Sequence, residues 1–195
     1  MRKLVASEFV SLDGVMEDPR WTFQFGSEEQ EEFKFDELFA SDALLLGRVT
    51  YEGFAAAWPD MMEQYEGPRR EALQEFTDRM NSLPKYVVST TLEEPLEWNN
   101  SILINGDVAE EVSRLKQQPG QDILIGGSGE LVNTLMGHDL IDEYRLMVFP
   151  VVLGSGKRLF GEGSATKTLK LIETKTFGTD VVVLSYGLAG DGEAG

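Results

Sequence analysis

Apolar runs of strand length alternate with stretches of helical period along most of this chain, and no other feature restricts its fold as tightly. The runs fall at residues 3–10, 43–46, 85–89, 101–104, 122–125, 144–152, 169–177 and 181–186, several of them continuous rather than alternating. A continuous run has no polar face, so it predicts a strand covered on both sides, as in parallel sheets. Between the runs, Leu73, Phe76, Met80 and Leu83 recur at helical spacing, as do Val108, Val112 and Leu115, and then Leu131, Val132, Leu135 and Met136. This alternation predicts an α/β domain whose mixed, mainly parallel sheet is flanked by helices. The last two runs, joined by Phe177-Gly178-Thr179-Asp180, predict an antiparallel C-terminal hairpin closed by a Gly-X turn.

A chain of 195 residues that is 42% hydrophobic can bury one core, so residues 1–187 are assigned to a single domain. Residues 188–195 are small and acidic and are expected to form a mobile tail. The absence of cysteine excludes disulfides, zinc–thiolate sites and a thiol nucleophile, and suits a reducing, cytoplasmic setting. No run approaches the ~20 apolar residues of a membrane span. The formal charge of −17 opposes both a nucleic-acid backbone and an anionic membrane, and neither is expected as a partner. Against such a field a polyanionic ligand needs local basic groups and backbone N–H donors.

Three strand ends supply them. In Ile123-Leu124-Ile125-Gly126-Gly127-Ser128-Gly129-Glu130-Leu131 an apolar run enters glycines and then a helix, whose N-terminus offers free N–H groups; Ser128 as a plain helix cap is the other reading. The third glycine of a Rossmann fingerprint is missing, which excludes that motif. In Leu46-Gly47-Arg48-Val49-Thr50 the guanidinium of Arg48 and the hydroxyl of Thr50 suit phosphate, although an arginine there also suits a carboxylate partner. The third end, Val88-Ser89-Thr90-Thr91, carries hydroxyls that serve either an anion or the next turn. Ligands of α/β sheets gather beyond the carboxyl ends of strands, so the three segments belong to one expected site.

Those segments, in that order, together with Ser11-Leu12-Asp13-Gly14 and the late Pro150-Val151-Val152-Leu153-Gly154-Ser155-Gly156, resemble the dihydrofolate reductase superfamily. The branch they most resemble is the C-terminal reductase domain of bifunctional riboflavin-biosynthesis enzymes. The resemblance spans residues 2–187 and implies a dihydrofolate-reductase-like fold, a homodimer and an NADPH cofactor. It implies Gly47, Arg48, Val49, Thr50, Ser89 and Thr90 around the adenosine and phosphate portion, with Arg48 near the 2′-phosphate. Gly126, Gly127, Ser128, Gly129, Glu130 and Leu131 are implied at the diphosphate, with Gly126 and Gly127 joined by a cis peptide, and Ala6 beside the nicotinamide. The activity implied is hydride transfer to a small heterocyclic or imine-type acceptor; a nucleotide-binding module of the same fold without turnover is the alternative.

Two carboxylates are candidates for supplying a proton. Asp13 follows the strand expected beneath the cofactor but also suits a turn former. Glu31 falls where the resemblance implies the acid of dihydrofolate reductases, with Phe35 one turn further on the same helical face, but it also fits an acidic helix start. Val15, Met16, Glu17 and Asp18 follow the Ser-x-Asp-Gly turn, so a substrate phosphate there would meet acids and an apolar or cationic acceptor is equally compatible. Trp21, Phe23 and Phe25 suit either a stacking wall for that acceptor, with Trp21 as the contact, or a buried strand. The single histidine, His138, reads as a helix terminus, and no metal is expected.

Overall fold

A computed structural model describes residues 1–189. Among them, eight strands form one sheet: β1 (Leu4–Ser11), β2 (Ser41–Gly47), β3 (Lys85–Val88), β4 (Ser101–Ile104), β5 (Asp122–Ile125), β6 (Glu143–Phe149), β7 (Leu169–Thr176) and β8 (Val182–Leu188), in the order β4-β3-β2-β5-β1-β6-β8-β7. Each of the eight apolar runs forms one of these strands. Pairing is parallel from β4 to β6 and antiparallel for β6–β8 and β8–β7, so the sheet is mixed as expected. The helices are α1 (Glu28–Phe39), α2 (Arg48–Ala57), α3 (Gly67–Ser82), α4 (Val108–Gln117) and α5 (Gly129–Gly137). None among the described residues is long and apolar enough to cross a membrane.

The helix starts follow local chemistry. Ser27 caps α1 by accepting from the Gln30 N–H, Asp107 caps α4 in the same way, and Glu28, Glu29 and Glu31 place negative charge on the first turn of α1. The central strands β1, β2 and β5 are buried on both faces because cores lie on either side of the sheet. One packs Leu4, Ala6 and Val10 of β1 against Val112, Leu115, Val132 and Leu135 of α4 and α5. The other packs Val5, Leu44 and Leu46 against Leu38 and Met80 of α1 and α3. A third cluster joins Met147, Phe149, Phe177, Val181 and Val183 at the hairpin end.

Three local expectations change. The hairpin forms, but its left-handed residue is Asp180 at φ 61° rather than Gly178, because a short acidic side chain tolerates that region. Trp21, Phe23 and Phe25 lie in a 3₁₀ helix, Pro19–Phe25, and not in a strand; Pro19 starts it, Trp21 and Phe25 face Phe149, and Phe23 is exposed. The sheet also extends past residue 187, since Leu188 belongs to β8 and the Ala189 N–H donates to the Thr168 carbonyl; the remainder of the expected tail, 190–195, lies outside the described residues.

One irregularity positions the site. β1 pairs with β5 only at Leu4, Val5 and Ala6, yet continues beside β6 as far as Ser11. Beyond Ala6, therefore, β1 and β5 part, and the Gly126–Gly127 turn lies at that opening.

Candidate functional site

The carboxyl ends of β2 and β5 meet through main chain. The Gly47 N–H donates to the Gly127 carbonyl at 3.0 Å, which brings the first turns of α2 and α5 side by side. Glycine is required here by both space and conformation. A Cβ on Gly47 would lie 2.6 Å from the Ser128 hydroxyl oxygen, one on Gly127 2.6 Å from Thr50 Oγ1, and one on Gly129 2.5 Å from the Met16 sulfur. Gly127 also has φ +106°, a region L side chains rarely adopt. The cis bond falls one position later than expected, between Gly127 and Ser128.

This cradle suits a diphosphate. Gly47, the N-cap of α2, has no side chain to satisfy the helix's first N–H groups, so those donors are open to a ligand. At α5 the cap role of Ser128 is real, since its hydroxyl accepts from the Leu131 N–H at 3.4 Å, while the Leu131 side chain is buried in the core. Glu130 places an exposed acid on that same turn. Arg48 and Val49 are exposed on the first turn of α2; Arg48 pairs with Glu52 at 2.9 Å, a contact it would have to exchange for a phosphate. Ser89 is buried and accepts from the Thr91 and Leu92 N–H groups, which makes it a turn cap at the end of β3 beside β2, and Thr90 is exposed next to it.

A cavity of about 400 Å³ opens on the other side of β1. Phe9, Phe35, Trp58, Phe76 and Met147 supply much of its wall, and Glu31, Glu32 and Lys34 also line it. Cradle and cavity are linked by side chains: Phe54 lies under Gly126, where a Cβ would be 3.7 Å away, and its ring meets Trp58 edge-on at 6.2 Å. The cations near the cavity are committed. Lys34 Nζ donates to Ser7 at 2.8 Å and to Glu37 at 2.6 Å, and Arg69 grips both oxygens of Glu31.

Both sequence-selected carboxylates are held ionised. Arg69 beside Glu31 keeps its carboxyl below the ordinary range, the reverse of what a proton donor at neutral pH requires. Asp13 is lowered to about 2 by the Ser11 hydroxyl and by the Leu153 and Gly154 N–H groups; it clamps the loop after β6 onto the turn after β1. Trp21, selected as a substrate contact, packs edge-on against Phe149 at 5.5 Å and is held by the Glu17 carbonyl, because the 3₁₀ helix turns it into the third core cluster. Phe35 does line the cavity and stacks on Phe39. Among the described residues no group of three or more His, Cys, Asp or Glu side chains is placed to hold a metal ion.

The model of the RibD C-terminal domain matches residues 2–183. The chain belongs to the RibD C-terminal domain family. Members and folds around it agree. The uncharacterized protein YyaP of Bacillus subtilis (strain 168) is 34% identical over 185 residues, covering 95% of this chain and 94% of YyaP. A pyrimidine reductase-like protein of Corynebacterium diphtheriae superposes with a TM-score of 0.65 at 13% identity, covering 97% of this chain and 93% of that one. Dihydrofolate reductase of Enterococcus faecalis, solved with NADP(H), gives a TM-score of 0.58 at 15% identity over 95% and 96% of the two chains. The RibD-family fold is thus a reductase-type, dihydrofolate-reductase-like one.

The sequence singled out the glycine turn and Phe35, which the structure places at the cavity, but not most of the cavity wall. Phe9, Trp58, Phe76 and Met147 come from β1, the end of α2, α3 and β6, and no local spacing ties them together. Glu8 was missed as well. A lone acid inside the apolar run of β1 was its only signal.

Proposed function

We propose that this chain is an NADPH-dependent reductase acting on a small, flat acceptor of heterocyclic or imine type, apolar or cationic and without phosphate. The observation that carries the reading is the junction of a main-chain cradle with an aromatic cavity through Phe54 and Trp58. The cradle fits a dinucleotide: Gly47 and Gly127 leave room where any side chain would collide, and N–H groups at the starts of α2 and α5 favour the diphosphate. When bound, NADPH supplies the hydride. Arg48, released from Glu52, takes the 2′-phosphate, with Val49, Thr50, Ser89 and Thr90 around the adenosine side and Ala6 beneath the opening between β1 and β5.

The cavity selects the acceptor. Phe9, Phe35 and Trp58 offer faces and edges to a planar ring, while Glu32 at its margin favours a cation and disfavours a phosphate. Lys34 and Arg69, the basic groups nearest the cavity, are already paired. A homodimer is part of the proposal. Leu171 and Ile172, exposed on the edge strand β7, offer the apolar surface for it.

The test follows NADPH oxidation against pterins, cyclic imines, iminium salts and a ribosyl-phosphate pyrimidine. Turnover with an unphosphorylated acceptor, exceeding that with the phosphorylated pyrimidine, is expected. Stoichiometric NADPH binding with no oxidation in any mixture would instead support a nucleotide-binding module without turnover, the reading that the ionised state of both Asp13 and Glu31 favours.

A further inference from the structure

Glu8 lies on β1 two positions past Ala6, the last residue paired with β5, and opposite Leu146 of β6. Strand alternation turns its neighbour Phe9 toward the aromatic cavity and Glu8 toward the Gly126–Gly127 turn, where the Gly127 N–H acts on its carboxyl group. The residue is 5% exposed, and its Oε1 is buried without a hydrogen-bond partner. The charged groups near enough to act on it are Lys34 and Glu37 of α1; Arg145 of β6 is paired with Glu37 and with Glu143. Lys34 is bonded to Ser7 and Glu37, so among the described residues no cation forms an ion pair with Glu8. An apolar side chain would fill this place at less cost, and the contact with the Gly127 N–H leaves Oε1 unsatisfied.

Resting on the reductase reading above, we propose that Glu8 is the acid of this site: a neutral carboxyl facing the redox end of the bound dinucleotide, which gives up its proton when that end becomes cationic. The cradle fixes the diphosphate at Gly47 and Gly127, and the acceptor cavity lies past Phe54 and Trp58 on the far side of β1. A ring that reaches from the first to the second passes the opening between β1 and β5, and Glu8 is the titratable group of β1 at that opening. Burial raises its carboxyl to about 8, so it is protonated at neutral pH beside an uncharged ring. A unit positive charge about 5 Å away, at an effective dielectric of about 20, changes an ionisation constant by about a hundredfold. That is enough to ionise Glu8 near neutrality.

For a neutral imine acceptor the balance requires a proton: hydride on carbon leaves an electron pair on nitrogen, so one proton is consumed per turnover, whereas hydride alone neutralises a cationic iminium. With a neutral imine the Glu8 O–H bond would break to supply that proton, and solvent would reprotonate the carboxylate between turnovers.

The experiment is isothermal titration of NADP⁺ and of NADPH into the wild-type protein at pH 7, each in two buffers of different ionisation enthalpy, which reads the protons exchanged on binding. NADP⁺ should release close to one proton per site and NADPH close to none. Glu8→Gln should abolish the release and weaken NADP⁺ about tenfold or more relative to NADPH, with its thermal midpoint confirming that it folds. Wild-type protein that binds NADP⁺ without releasing a proton overturns the proposal whatever the variant does, as does a Glu8→Gln protein that releases as many protons as wild type. Failure of both nucleotides to bind would overturn the reductase reading itself, a different and separately visible result.

Discussion

The cradle at the ends of β2 and β5 is made of main chain, whereas the cavity across β1 is made of side chains. In the cradle, recognition depends on what is absent: Gly47, Gly127 and Gly129 leave space that a single methyl group would fill, and helix N-termini supply the donors. In the cavity it depends on rings contributed by separate elements, with acids at the margin. The first arrangement tolerates almost no substitution but is indifferent to which acceptor is used. The second can be remodelled one side chain at a time. On the proposed reading, such a fold can therefore keep its cofactor while its acceptor changes.

The sharpest way to break that division is Gly127→Ala. The new Cβ would meet Thr50 Oγ1 at 2.6 Å on a backbone with φ +106°, so NADPH affinity should fall by about a hundredfold or more while planar cations still bind the cavity. Competition titrations with each ligand check both halves; equal loss of both would mean that the two regions are one cooperative unit. Trp58→Ala acts on the other side. It should raise the acceptor KM roughly tenfold to thirtyfold, as expected for an aromatic contact, and leave NADPH affinity within about twofold. Steady-state kinetics with a separately measured NADPH Kd separates the two effects.

Smaller changes sharpen the picture. Arg48→Ala should weaken NADPH by about tenfold with little change for NADH, because the guanidinium is proposed to act on the extra phosphate alone. Equal loss would place Arg48 at the diphosphate. Asp13→Asn should affect the loop clamp and neither ligand region. The Asp13 carboxyl is lowered to about 2 in the folded protein, so its stabilising effect is present above the ordinary carboxylate value near 4 and is lost as pH falls toward 2. Thermal midpoints measured from pH 6 down to pH 2.5 should therefore drop less steeply for Asp13→Asn than for wild type.

The strands were legible because their apolar runs are continuous, and the cradle because glycines between a strand and a helix have few other uses. The turn after β7 was not, since Asp180 takes the left-handed position that Gly178 was expected to hold. Alternate aromatics at Trp21, Phe23 and Phe25 imitate strand spacing, and only the 3₁₀ turn begun by Pro19 explains why they pack otherwise. Glu31 shows the limit most clearly: its place in the sequence suits an acid, but the partner that ionises it, Arg69, is on another helix. For Glu8 the converse holds. Its surroundings are set by the pairing of β1 with β5 and β6, strands far apart in the chain.

The central claim is that the glycine cradle binds NADPH, and thermal unfolding of the wild-type protein beside Gly127→Ala, with and without the nucleotide, tests it most directly. At a hundred times its Kd a ligand stabilises the folded state by about 2.7 kcal/mol, so the wild-type midpoint should rise by roughly 5 to 10 °C and that of the variant by far less. No rise in the wild-type protein at saturating NADPH, or an equal rise in both proteins, would contradict the account.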